Sequence, residues 1–218
     1  MSPVVTAQKL IIFDWDGTLS DSVTRITQCI QLAADEHQLP RPSFDQAKEI
    51  IGLGLREAVR HLFPSADVAM VERFSASYSA HYRQQDSSPC AFFPGVLTSL
   101  QQLRDAGHLL AVATGKSRAG LNRVLQATDL IGFFHSSRCA DETRSKPHPL
   151  MLEELLAETR MAPQNAVMVG DTEFDMQMAV NAGMPRIAVS YGAHDSARLL
   201  AYDPIICLND FSKIAKYI

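Results

Sequence analysis

Short apolar runs separated by amphipathic stretches of helical length constrain this chain more than any other feature. The runs are Leu10–Phe13, His108–Ala113, Ala166–Val169, Arg186–Val189 and Ile205–Leu208, with a weaker one at His135–Cys139. Each has the length and composition of a strand buried on both faces. Between them lie Gly95–Ala106, Arg118–Thr128, Pro149–Thr159, Phe174–Ala182 and Ala193–Ala201, each long enough for a helix. Strand alternating with helix predicts an α/β fold, a Rossmann-like parallel sheet with helices on both faces and right-handed crossovers.

One stretch breaks the alternation. From Ser20 to Arg83 there is no strand signal, and Val23, Ile26, Ile30, Ala33 and Ala34 recur at helical spacing. Further helical stretches are predicted at Phe44–Ile51, Leu55–Phe63 and Ala66–Tyr82. The expectation is a small helical domain inserted after the first strand, with residues 1–16 and 90–218 forming the α/β core and residues 17–89 the insert. Its connections would be Gly17–Asp21 and about Gln84–Pro94, the second punctuated by Pro89 and Pro94. A length of 218 residues suits a core carrying such an insert, and 46% hydrophobic residues supply its apolar interior.

The net charge of -4 gives no general attraction to nucleic acid or anionic lipid, so an anionic ligand must be held by local groups. No apolar run reaches the roughly 18 to 20 residues that span a bilayer. Met1–Lys9 lacks a basic region followed by an apolar one. Cys29, Cys90, Cys139 and Cys207 are far apart and form no CxxC pair, which predicts reduced, buried thiols. These features predict a soluble cytoplasmic protein with neither nucleic acid nor membrane as partner.

Four strand ends carry the chemistry. Phe13-Asp14-Trp15-Asp16-Gly17-Thr18 follows the first apolar run, at the sheet edge where open parallel sheets bind ligands. Two carboxylates spaced i, i+2 can serve one site, and their mutual repulsion favours a hard cation such as magnesium or a shared proton. Taken alone, Asp-Gly is also a common turn. Ala111–Lys116 ends another strand with Thr114 and Gly115, where a hydroxyl and helix-start amides suit a phosphate, although Thr is equally a common helix cap. Lys146, in Ser145-Lys146-Pro147-His148-Pro149, precedes a helix opened by prolines and is placed to neutralise a phosphate or a carboxylate; His148 is read as structural. Asp171 ends the run Val167–Gly170, and Asp175 follows on the first turn of the next helix, adding oxygen ligands for a cation. Four turn accidents in this order would be an unlikely coincidence.

This series resembles the four motifs of the haloacid dehalogenase superfamily, over essentially the whole chain. The insert resembles the helical cap of the branch that contains phosphoglycolate phosphatase and beta-phosphoglucomutase. By position, the resemblance makes Asp14 the nucleophile that attacks phosphorus and Asp16 the acid, then base, that serves the leaving oxygen and the hydrolytic water. It makes Thr114 and the Gly115 amide the phosphate holders, and Lys146 the cation bridging nucleophile and phosphate. Asp171 matches a magnesium ligand beside Asp14 and the Asp16 carbonyl. Asp175 matches the second acid of its motif, a ligand through water or a partner of Lys146. The implied cofactor is Mg2+, held by Asp14, Asp16, Asp171 and Asp175, and the implied reaction is hydrolysis of a small phosphate monoester of the phosphoglycolate kind.

Asp16 favours phosphoryl transfer over dehalogenation, because dehalogenases of this type lack the second Asp of the first motif. Trp15 departs from the smaller aliphatic residue or Phe common there, and only its backbone is expected to face the phosphate. Gly52-Leu53-Gly54-Leu55-Arg56 resembles the family's specificity loop, where Arg56 could reach a substrate anion; Arg25 is a weaker candidate. A phosphomutase and a pyrophosphatase remain alternatives, the mutase lowered by the absence of a His in Ser20–Arg25. A signalling receiver module also uses an acidic cluster, Thr and Lys, but has no helical insert.

Overall fold

The computed structural model describes residues 7–85 and 89–218, so part of the expected second connection, residues 86–88, lies outside the described residues. Six strands form one parallel sheet: β1 (Leu10–Phe13), β2 (Leu109–Thr114), β3 (Ser136–Cys139), β4 (Ala166–Gly170), β5 (Arg186–Val189) and β6 (Cys207–Leu208), in the order β3-β2-β1-β4-β5-β6. The α/β fold class read from the alternation is the one observed.

The central strands β1, β2 and β4 are buried on both faces because they are apolar on both. Ile11 and Phe13 point to one side, into a cluster with Val112, Leu100 and Phe211; Leu10 and Ile12 point to the other, against Met151, Leu155 and Met168. The covering helices are α5 (Val96–Asp105), α6 (Arg118–Ala127), α7 (Leu150–Thr159), α8 (Glu173–Asn181) and α9 (Ser196–Leu200). Trp15 is buried edge-on against Phe92 at 5.8 Å and Phe134 at 6.3 Å, so its side chain belongs to the interior.

Among the described residues, the elements between β1 and α5 are helices: α1 (Val23–Glu36), α2 (Phe44–Lys48), α3 (Leu55–Leu62) and α4 (Val68–Gln84). They enclose a second apolar cluster built on Ile26, Ile30, Val59, Phe63 and Phe74. Ser43 opens α2 with a reciprocal capping box to Gln46, and Asp67 caps α4 through the Met70 amide. The chain leaves and re-enters the sheet layer at one place, where Ser20 bridges Phe92 in antiparallel fashion and the Asp21 amide donates to the Ala91 carbonyl at 2.8 Å.

The C-terminal part departs from the sequence expectation. β6 is shorter than Ile205–Leu208, and Ile205 is exposed. α9 begins at Ser196 rather than Ala193, with Asp195 as its extended N-cap residue, and the Ala193 and His194 amides before it donate to Asp171. A 3-10 helix at Phe211–Lys216 was not expected; it buries Phe211 and Ile214, with the Phe211 ring 6.0 Å from that of Phe13. Of the cysteines, Cys29 and Cys139 are buried and Cys90 and Cys207 partly so, all as free thiols. No helix among the described residues is long and apolar enough to cross a membrane.

Candidate active site

β1 is the middle of the sheet, hydrogen-bonded to β2 on one side and β4 on the other. Because Phe13 pairs with both Val112 and Val169, residues just past these strands emerge at one level of one edge. Asp14 and Asp171 therefore converge, and Thr114 ends the neighbouring strand at the same edge of the sheet. The Asp14 amide still donates to the Val169 carbonyl at 2.9 Å, which fixes the residue at the strand end.

Asp14, Lys146, Asp171 and Asp175 are all buried. Lys146 Nζ lies 2.8 Å from Asp14 Oδ1 and 2.6 Å from Asp175 Oδ1, as close, fully buried ion pairs. Asp175 is also the N3 residue of a capping box at the start of α8, accepting from the Thr172 amide at 3.1 Å and the Thr172 hydroxyl at 2.7 Å. Asp171 accepts from Thr18 Oγ1 at 2.6 Å and the Ala193 amide at 2.7 Å. Gly17, in the left-handed region at φ 81°, packs directly on this carboxylate: a Cβ there would come within 2.2 Å of Asp171 Oδ2.

Three carboxylates, from Asp14, Asp171 and Asp175, bring ligand oxygens within 4.8 Å of one another. One lysine cannot balance them. Burial, reinforced by Asp175 and Asp171 and opposed by Lys146, holds the Asp14 carboxyl well above the usual carboxylate range. Burial, with Asp175 beside it, pushes Asp171 up to about 7. Burial alone would lower Lys146, but Asp14 and Asp175 outweigh it and keep the lysine protonated. Asp14 Oδ2 is buried with no hydrogen-bond partner among the described residues. An excess of negative charge, an oxygen-only donor set and an unpartnered carboxylate oxygen fit a hard divalent cation such as Mg2+.

The Asp16 carboxylate is not part of this group. It faces the helical insert, accepting from Ser22 Oγ at 2.6 Å and pairing with Lys116 Nζ at 3.0 Å. Lys116 in turn lies over the Tyr82 ring of α4, 4.8 Å from its centroid. Thr114 is buried at the end of β2, its hydroxyl accepting from the Lys116 amide at 3.3 Å. Gly115 follows beneath the loop joining α2 and α3, and a Cβ on it would come within 2.5 Å of the Leu53 carbonyl oxygen. Across the site, the Gly54 amide donates to Ser145 Oγ at 2.8 Å.

A cavity of about 680 Å3 lies between the insert and the strand ends, with Asp14, Asp16, Gly115 and Lys116 on its floor. Arg56 lines it, but its guanidinium is paired with Glu72 at 2.9 Å. Arg25 lines a second, smaller cavity beside Trp15 and Cys90 and stacks over Tyr82 at 5.9 Å. His148 accepts from the Leu150 amide at 3.2 Å and meets Arg144, a structural position at the start of α7. The sequence reading gave no role to Lys116, Ser22 or Thr18. The only signal was adjacency: Lys116 directly follows Thr114-Gly115, Thr18 closes the first motif, and Ser22 follows four residues later.

A family model described as haloacid dehalogenase-like hydrolase matches residues 11–189. The chain belongs to this family. Among its relatives in the haloacid dehalogenase-like family is a probable phosphatase, IndB, of Dickeya dadantii, 36% identical over 94% of this chain and 91% of that one. A phosphoglycolate phosphatase of Aliivibrio fischeri is 28% identical over 93% of both chains. Among solved structures, a putative haloacid dehalogenase-like hydrolase from Bacteroides fragilis superposes with a TM-score of 0.88, at 23% identity, over 95% of this chain and 99% of that one. As a member of the family the protein is a hydrolase, and the six-stranded parallel sheet is the fold it shares with that neighbour.

Proposed function

We propose that this protein is a magnesium-dependent phosphatase that hydrolyses a small phosphate monoester through an aspartyl-phosphate on Asp14. One observation carries the reading: a buried carboxylate at the central strand end, paired at 2.8 Å with a buried lysine and grouped with two further carboxylates. Relatives named phosphatase and phosphoglycolate phosphatase support the same reaction class.

In the first step an Asp14 oxygen attacks phosphorus and the ester P–O bond breaks. Asp16, two residues on and facing the cavity, gives its proton to the departing oxygen. In the second step Asp16 takes a proton from water as the hydroxide adds to phosphorus, and the Asp14 carboxylate is restored. Thr114 Oγ1 and the Gly115 amide hold phosphate oxygens, and Lys146 offsets the negative charge shared by nucleophile and phosphate. Asp14, Asp171 and Asp175, with the Asp16 carbonyl, would hold the magnesium ion. When bound, it supplies the positive charge that lets an anionic nucleophile approach an anionic ester. Ser22 and Lys116 keep the Asp16 carboxylate on the cavity side. In this reading residues 17–89 act as a cap that keeps bulk water from the phosphate, over a core of residues 1–16 and 90–218.

The test is phosphate release from a panel of esters that includes phosphoglycolate, with Mg2+ and with EDTA, for the wild type and Asp14→Asn. Release that requires Mg2+ and drops by at least about 1,000-fold in Asp14→Asn is expected. Turnover surviving in that variant would remove Asp14 as nucleophile.

A further inference from the structure

The insert rests on the core on both sides of the phosphate position. The Gly54 amide bonds Ser145, the Gly52 and Leu53 carbonyls face Gly115, and the Glu49 carbonyl meets His194 Nε2 at 3.2 Å. The cavity of about 680 Å3 is therefore what remains with the insert seated. That volume falls in the range of roughly 300–1,000 Å3 that encloses drug-sized ligands. A two-carbon acid attached to a phosphate would leave most of it empty.

The insert's wall carries an apolar stretch beside the polar residues Arg56, Glu72, Ser75 and Ser79. Ile26, Ile30, Ile50 and Ile51 face the space together with Tyr78 and Tyr82, whose rings lie 6.0 Å apart and are inclined by 39°. Two of the cations that line the cavity have carboxylate partners. Arg56, on the insert, pairs with Glu72 at 2.9 Å, and Lys116, on the core, pairs with Asp16 at 3.0 Å whenever Asp16 is ionised. A second anion on the substrate would have to break one of these pairs to reach either cation, while a flat apolar group would meet aliphatic and aromatic surface.

We propose that the alcohol released by this enzyme is uncharged and carries an aromatic or comparably flat ring, held between the four isoleucines and the Tyr78–Tyr82 pair. The inference rests on the phosphatase reading. The ester P–O bond to that alcohol breaks, its oxygen takes the Asp16 proton, and water supplies the hydroxide that ends on phosphate.

The experiment compares kcat/KM for benzyl phosphate, ethyl phosphate and phosphoglycolate with Mg2+. Benzyl phosphate is expected to exceed each of the others by about tenfold or more, the worth of burying one ring. Tyr82→Ala should shrink the ratio of benzyl to ethyl phosphate. Should that variant melt far below the wild type, Tyr78→Leu reads the same wall. Glu72→Gln, on the exposed rim, frees Arg56 and is expected to raise phosphoglycolate several-fold relative to benzyl phosphate. Ethyl phosphate or phosphoglycolate equalling benzyl phosphate overturns the proposal while leaving the phosphatase intact. No release from any of the three, nor from acetyl phosphate, removes the phosphatase reading and the substrate inference with it.

Discussion

At the scale of single residues, the site is a charge imbalance held in a dry place. Asp171 is the clearest case, raised by burial and by Asp175 from 3.8 to about 7. A carboxyl whose folded pKa lies above its unfolded one stabilises the fold only while protonated. In the metal-free protein this contribution is full below about pH 4 and fades as pH rises through about 7. A cation ligand must be ionised, so Mg2+ reverses the loss. The rise in melting temperature on adding Mg2+ should therefore be larger at pH 8 than at pH 5.5, and the apparent Mg2+ affinity should climb as pH rises through about 7. Equal shifts at the two pH values would show that Asp171 does not ionise on binding. At this scale much of the site was legible from the sequence. Asp14, Lys146, Asp171 and Asp175 announce themselves by standing at or just beyond strand ends, and the fold brings all four together. Lys116 and Ser22 did not, because their partner is the Asp16 side chain, and the direction in which that carboxylate turns is a three-dimensional fact.

At the scale of elements, the loop between α2 and α3 and the turn after β2 are matched surfaces. Gly115 gives the Gly52 and Leu53 carbonyls room that any side chain would fill. Gly115→Ala keeps the amide that would hold phosphate, yet places a Cβ 2.5 Å from one carbonyl oxygen and 2.7 Å from the other. One side must move. We expect kcat/KM to fall by roughly ten- to hundredfold, with the melting temperature serving as the check on folding. Wild-type kinetics would mean that this contact does not set the position of the loop. Elements were read well where period and length agreed, as in β1, β4 and the four helices of the insert. They were misread toward the C-terminus. α9 starts late, after the extended N-cap residue Asp195, and the Phe211–Lys216 turn is too short for its two buried residues to show a period.

At the scale of the whole molecule, the buried charges and the apolar wall of the cavity are drawn from different parts of the chain. The buried carboxylates and Lys146 sit at the sheet edge, while the apolar wall of the cavity comes from α1, α4 and the residues after α2. Arg198 of α9 ties the two together, meeting Glu49 of the insert and Glu173 at the start of α8. These groups are partly exposed, so the tie is modest. Arg198→Ala is expected to raise KM by up to about fivefold with a smaller change in kcat, since it loosens the seating of the insert without touching the reacting groups. A loss confined to kcat would place Arg198 in the chemistry itself. The antiparallel bridge of Ser20 to Phe92, with Phe93 donating to the Leu19 carbonyl at 3.0 Å, closes the insert at its base like a drawstring. Everything on that wall is thus encoded by one uninterrupted stretch of gene whose two ends meet in space. A single splice at that base could exchange the cavity wall as a cassette and leave Asp14, Lys146, Asp171 and Asp175 as they are.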